Sequence, residues 1–140
     1  MKNSEVLKVA GSEYKILIDG KSTDNKFAVI EMNIPPQSGP MPHKHIDILE
    51  TFYLVEGELE FKYDTETKII KPGELISIPF NGPVHRFKNI SQKNAVLITT
   101  VYPSGLEEMF REIAKASTPQ EAKLIGEKYG NVFYPESIFE

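Results

Sequence analysis

Cysteine and tryptophan are both absent from the 140-residue chain, and histidine occurs only three times. Without cysteine there can be no disulfide, no thiolate zinc site and no cysteine nucleophile, which fits a reducing compartment. No apolar run approaches the length of a membrane span. The first residues, Met1 to Val6, lack the apolar stretch of a secretory leader. The expectation is a cytoplasmic protein with no membrane partner. A basic excess is missing too: 16 Lys and Arg stand against 20 Asp and Glu, a net charge of −4. A phosphate backbone demands a basic patch, so nucleic acid is excluded as a partner. No internal repeat of solenoid period is visible.

What remains is an ordinary globular composition, 40% hydrophobic and 26% charged, in a chain long enough for one domain with a real core. Short apolar runs separated by turn residues dominate up to residue 102. Strands are expected over 5–10, 13–19 and 26–34, with a loop at 20–25. Glu50 to Glu56 is a strand ended by Gly57, and Glu50, Phe52 and Leu54 share one face by alternation. Leu59, Phe61 and Tyr63 alternate with Glu58, Glu60 and Lys62, as in a half-buried antiparallel strand. Asp64 to Thr67 reads as a turn, followed by short strands at 68–71, 74–78 and 84–89. Ala95 to Tyr102 is almost wholly apolar and should be central. The character then changes. Ser104 is the expected N-cap of a first helix carrying Leu106, Met109, Phe110, Ile113 and Ala114. Thr118-Pro119 opens a second, carrying Ala122, Leu124, Ile125 and Tyr129, that runs to about Lys128. Both apolar stripes are expected to pack against the sheets or a partner chain, with a lid over a site as the alternative.

The chemistry concentrates in residues 39–57. His43 and His45 are two apart, so in a strand both imidazoles project to one side. Glu50 follows after a gap long enough for the chain to turn. Four prolines, Pro35, Pro36, Pro40 and Pro42, hold the approach extended and stiff. The remaining histidine, His85, stands behind a Pro-Phe-Asn-Gly-Pro turn. A lone histidine is weak evidence for a ligand, but here all three fall into one pattern. Imidazole suits zinc, copper, iron and nickel, and an added carboxylate gives the donor set of non-heme iron sites.

With these residues the chain resembles the cupins. His43, His45, Glu50 and Gly57 match the first cupin motif, although Gly39 stands two places closer to His43 than the pattern asks. Gly73, Pro79, Gly82, His85 and Asn89 match the second, with one extra residue between Pro79 and Gly82. The last forty residues resemble small single-domain cupins of the quercetin dioxygenase-like kind. The resemblance implies an all-β fold, an antiparallel jelly-roll β-barrel with two C-terminal α-helices. The barrel would take residues 1–103, and residues 104–140 would be a helical extension of the same domain. It implies one divalent metal ion (iron, manganese, nickel, copper or zinc) held by His43, His45, Glu50 and His85. Met41, Phe52, Leu54, Phe61, Phe87 and Asn89 would line a substrate pocket in the barrel.

Cupins carry many reactions, so fold leaves the chemistry open. The leading expectation is a metal-dependent oxygenase, with a dioxygenase as its specific form, acting on a small aromatic or enolisable ligand. The rivals are a non-oxidative isomerase or lyase with the same ligands, and a non-catalytic module that binds a small molecule. No separate general base can be named. A homodimer is expected, since sheet edges call for cover.

Overall fold

The computed structural model of the protein describes residues 5–140. The leader expectation falls largely on residues 1–4, outside the described residues. Among the described residues no helix is long and apolar enough to cross a membrane. Eleven strands and two α-helices make up the described chain: β1 Val6–Val9, β2 Ser12–Ile18, β3 Ala28–Ile34, β4 His43–Lys44, β5 Leu49–Glu56, β6 Leu59–Tyr63, β7 Glu66–Ile70, β8 Leu75–Ile78, β9 His85–Lys88, β10 Ala95–Tyr102, α1 Leu106–Ile113, α2 Pro119–Lys128 and β11 Val132–Phe133. They form a six-stranded sheet in the order β1-β2-β3-β10-β5-β8 and a five-stranded sheet in the order β11-β4-β9-β6-β7. Every described pairing is antiparallel.

The core lies between the two sheets and follows from period-2 alternation. Ala95, Leu97, Thr99 and Val101 of β10 are buried while their neighbours are not. That strand sits between β3 and β5, the central place its apolar run predicts. Phe52 from the large sheet meets Phe61 and Phe87 from the small one, with ring centroids 5.3 and 5.8 Å apart, so aromatic packing joins the layers. Gly57 turns the chain at φ 88°, and a Cβ there would stand 2.8 Å from Ala95 Cα. Only glycine fits both demands.

Three local expectations change. The β6–β7 turn is just Asp64-Thr65, because Asp64 adopts a left-handed φ of 54° and Tyr63 already pairs with Glu66. Residues 20–25 are not plain loop: Gly20–Ser22 makes a 3-10 turn capped by the Asp19 side chain. The first helix is not capped by Ser104. Gly105 is its N-cap, and the Glu107 carboxylate accepts the Gly105 N–H at 2.5 Å and the Gly20 N–H at 2.7 Å. One buried carboxylate thus satisfies the helix start and ties it to the β2–β3 connection. The second helix starts as read, with the Thr118 hydroxyl accepting from the Glu121 N–H.

Helix α1 lays Leu106, Met109 and Phe110 on the core, with Phe110 edge-on to Tyr14 at 4.8 Å. Helix α2 packs on α1, and its Leu124 points to solvent instead of the core. The chain then returns through β11 to pair with β4, placing Phe133 opposite His43.

Candidate metal centre and its cavity

Strand pairing assembles the centre. Strand β4 is only two residues long, yet it pairs with β9 so that His43 lies opposite His85. His45 follows directly. Its ring centroid is 5.6 Å from that of His43 and 5.1 Å from that of His85, and His43 and His85 are 4.5 Å apart. One nitrogen from each imidazole lies within 4.8 Å of the others, close enough to hold one metal ion. Glu50 comes from β5 in the opposite sheet. Its Oε1 is 3.0 Å from His45 Nε2 and 3.9 Å from His85 Nε2. The expected turn between His45 and Glu50 is present, and it is what lets the carboxylate face the imidazoles.

Second partners orient the rings. His43 Nδ1 donates to the Met41 carbonyl at 2.8 Å, and His85 Nδ1 to the Pro83 carbonyl at 3.0 Å. Each ring therefore keeps its proton on Nδ1 and presents a bare Nε2, the form a metal needs. Glu50 Oε2 lies 3.2 Å from the Thr99 hydroxyl, which also reaches the Thr51 carbonyl at 2.8 Å. His45, Glu50, His85 and Thr99 are all buried. His43 is half-buried because the cavity reaches its ring.

Burial costs the charged form of these rings most. For His43 burial, reinforced by His45 and opposed by the Met41 carbonyl, brings the pKa down to about 4. For His85 burial, then its neighbour His43, bring it down to about 3 against the pull of Glu50 and the Pro83 carbonyl. Both are neutral at neutral pH. His85 Nε2 and His45 Nδ1 are buried with no hydrogen-bond partner among the described residues. Two uncharged rings, orphaned buried imidazole nitrogens and an adjoining carboxylate are what a divalent ion would satisfy, so the residues fit the implied metal.

The centre opens into a cavity of about 600 Å³. Of the expected pocket residues, Met41, Phe52 and Phe87 line it together with His43, His45 and Glu50. Leu54, Phe61 and Asn89 do not. Leu54 and Phe61 are fully buried core, with Phe61 lying against Phe52 and Phe87. Asn89 follows β9 and turns inward, donating to the carbonyls of Ile34 and Lys93 and accepting from Ser91, so it holds a loop. Alternation put all three on the correct face; it does not set depth along the strand.

Sequence reasoning missed much of the wall. Tyr14 of β2 and Met32 of β3 line one side, and Leu106, Met109, Phe110 and Phe133 close the top. The two helices thus do pack on the sheets, and in doing so they roof the cavity. Tyr14 left a signal, a hydroxyl on the face shared by Ser12 and Ile16. Nothing in the local sequence around Phe133 marks it; only the β11–β4 pairing places it there.

Residues 30–102 match the family model described as "Cupin domain". The chain belongs to the cupins. This cupin is 26% identical over 100 residues to quercetin 2,3-dioxygenase of Bacillus subtilis, covering 71% of the chain and 29% of that enzyme. It is 31% identical over 78 residues to an uncharacterized protein of Methanocaldococcus jannaschii, covering 56% of the chain and 62% of the relative. The chain therefore spans less than two thirds of either curated relative's length. Among solved structures, an RmlC-like cupin from Shewanella frigidimarina superposes with a TM-score of 0.64 at 18% identity, covering 76% of this chain and 89% of that one. A sugar phosphate isomerase of the cupin superfamily from Silicibacter pomeroyi gives 0.60 at 21%, covering 66% and 59%. At these identities the superpositions speak for the jelly-roll fold alone.

Proposed function

We propose that this cupin binds one divalent metal ion through His43, His45, Glu50 and His85 and works as an oxygenase on a small, largely apolar organic molecule. The observation that carries the reading is the cluster of three imidazoles beside a carboxylate at the inner end of an apolar cavity. A bound divalent metal would act there as a Lewis acid and, in a redox-active form, bring dioxygen chemistry. The chain's own residues do the rest. The Met41 and Pro83 carbonyls keep His43 and His85 turned Nε2-first toward the centre. Glu50, steadied by Thr99, supplies the negative charge. Phe52, Phe87, Met109 and Phe110 exclude water and accept a planar hydrocarbon frame.

The wall also argues against strongly charged substrates. Its lysines, Lys8 and Lys123, are exposed at the mouth, and Lys8 already pairs with Glu13. The likeness to quercetin 2,3-dioxygenase supports oxygen chemistry, as an indication of type only. The proposal includes a homodimer, checked by light scattering at twice the chain mass.

The test is oxygen uptake by protein loaded in turn with iron, manganese, nickel, copper and zinc, against flavonols, β-diketones and acireductones. The reading predicts uptake with at least one redox-active metal and none with zinc. Anaerobic turnover would point to an isomerase or lyase instead. Tight binding with no turnover under any condition would point to a binding module.

A further inference from the structure

The cavity wall is apolar except at a few positions, and most of those are already engaged. Glu50 is taken up by His45 and Thr99. The buried Asn131 spends its amide N–H groups on Met109 Sδ at 3.0 Å and the Gly126 carbonyl at 3.1 Å. Ser117, Thr118 and Lys123 are exposed at the rim. Tyr14 is different. It is 2% exposed and lines the cavity, and its hydroxyl has no hydrogen-bond partner among the described residues. The sealed-off unpartnered atoms among the described residues are Ser12 Oγ, His45 Nδ1 and His85 Nε2; the Tyr14 hydroxyl is not one of them and faces the cavity as a donor open to a ligand.

Its position is fixed from two directions. Tyr14 pairs across strands with Leu7 and Met32, and its ring stands edge-on to Phe110 at 83°. Burial, then the nearby charge of Glu50, push its pKa up, so the proton stays on the oxygen and the group stays a donor. Tyr14 lines the same cavity as His43, His45 and Glu50.

We propose that Tyr14 donates a hydrogen bond to a carbonyl or enolate oxygen of the substrate where it enters the metal centre. The substrate class is then narrowed to planar, apolar molecules carrying an oxygen acceptor at the reacting end. This rests on the proposed function, since the acceptor is the substrate of that same site. Tyr14 is a binding residue that orients the substrate oxygen while Phe52 and Phe110 hold its frame.

The experiment uses zinc-loaded protein, which cannot turn over with oxygen, and 3-hydroxyflavone as the probe, with tropolone as a smaller second probe. Zinc affinity, thermal stability and probe binding are measured for the natural protein and Tyr14→Phe. The hydroxyl makes no hydrogen bond among the described residues, so the variant should fold with unchanged stability and bind zinc equally. Probe binding should weaken about tenfold, the usual loss for one hydrogen bond, and the absorption band of the bound probe should shift. Equal binding and an identical band in the two proteins overturn the assignment and leave the oxygenase reading standing. Absence of zinc-dependent binding to either probe by the natural protein overturns both. Equal losses of probe and zinc binding also overturn it, since Tyr14 would then act by holding the centre together.

Discussion

Lowering the pH should destabilise the metal-free protein well before its carboxylates titrate. His43 and His85 have folded pKa values brought down to about 4 and about 3, against about 6.5 when unfolded. At pH 7.5 both rings are neutral in either state and contribute no difference. As pH falls through about 6.5 the unfolded chain takes up two protons that the folded chain refuses, so stability falls with pH. The loss continues until the folded rings themselves protonate near pH 3 to 4, and is constant below. At pH 5 each ring accounts for about 1.5 pH units at 1.36 kcal/mol, or roughly 4 kcal/mol for the pair. This is a large part of a domain's usual stability of roughly 5–15 kcal/mol. The assay is urea unfolding with chelator present at pH 7.5 and pH 5, for the natural protein and for a His43→Gln/His85→Gln double variant. The acids held below their usual range, Asp19, Glu112 and Glu136, release their contribution at lower pH and do not enter this window. A pH slope as steep in the double variant as in the natural protein would refute the reasoning.

Two further substitutions probe the supports of the site. Thr99→Val keeps shape but removes the hydroxyl that serves Glu50 and the Thr51 carbonyl. It should cost about 1–3 kcal/mol of stability and weaken metal binding roughly tenfold or more, read by competitive chelator titration. Glu107→Ala leaves the Gly20 and Gly105 N–H groups without their acceptor in a buried place. It should cost about 2–5 kcal/mol in thermal or urea unfolding, with Glu107→Gln recovering part of it.

The His43 and His45 pair was legible because its spacing is local, whereas His85 reaches it only through the β4–β9 pairing. His43 and His45 are two apart, and the sequence itself shows the gap in which the chain turns toward Glu50. Gly57 and the apolar run of β10 were legible for the same reason: a turn and a central strand write themselves into consecutive residues. What could not be read is proximity created by sheet order. Tyr14, Met32 and Phe133 reach the cavity from strands far from the histidines in the chain. Leu54, Phe61 and Asn89 show the converse, since a shared face does not say which residue lies level with the site. The helix start was misjudged because Ser104 has the side chain of an N-cap, while the capping carboxylate, Glu107, lies beyond it. Gly39 shows how the family pattern bends. It stands two places from its expected position, and a Cβ there would collide with the Phe87 carbonyl, so in this chain its segment runs close against β9.

The central claim is that four side chains from two sheets hold one divalent ion. The direct measurement is elemental analysis of tag-free protein purified without chelators, beside a His45→Ala variant that keeps its fold by circular dichroism. The account predicts about one transition-metal ion per chain in the natural protein and a loss of affinity in the variant of at least tenfold. A natural protein that carries no metal and refuses added iron, manganese, nickel, copper and zinc would contradict it, as would a variant that binds metal equally well.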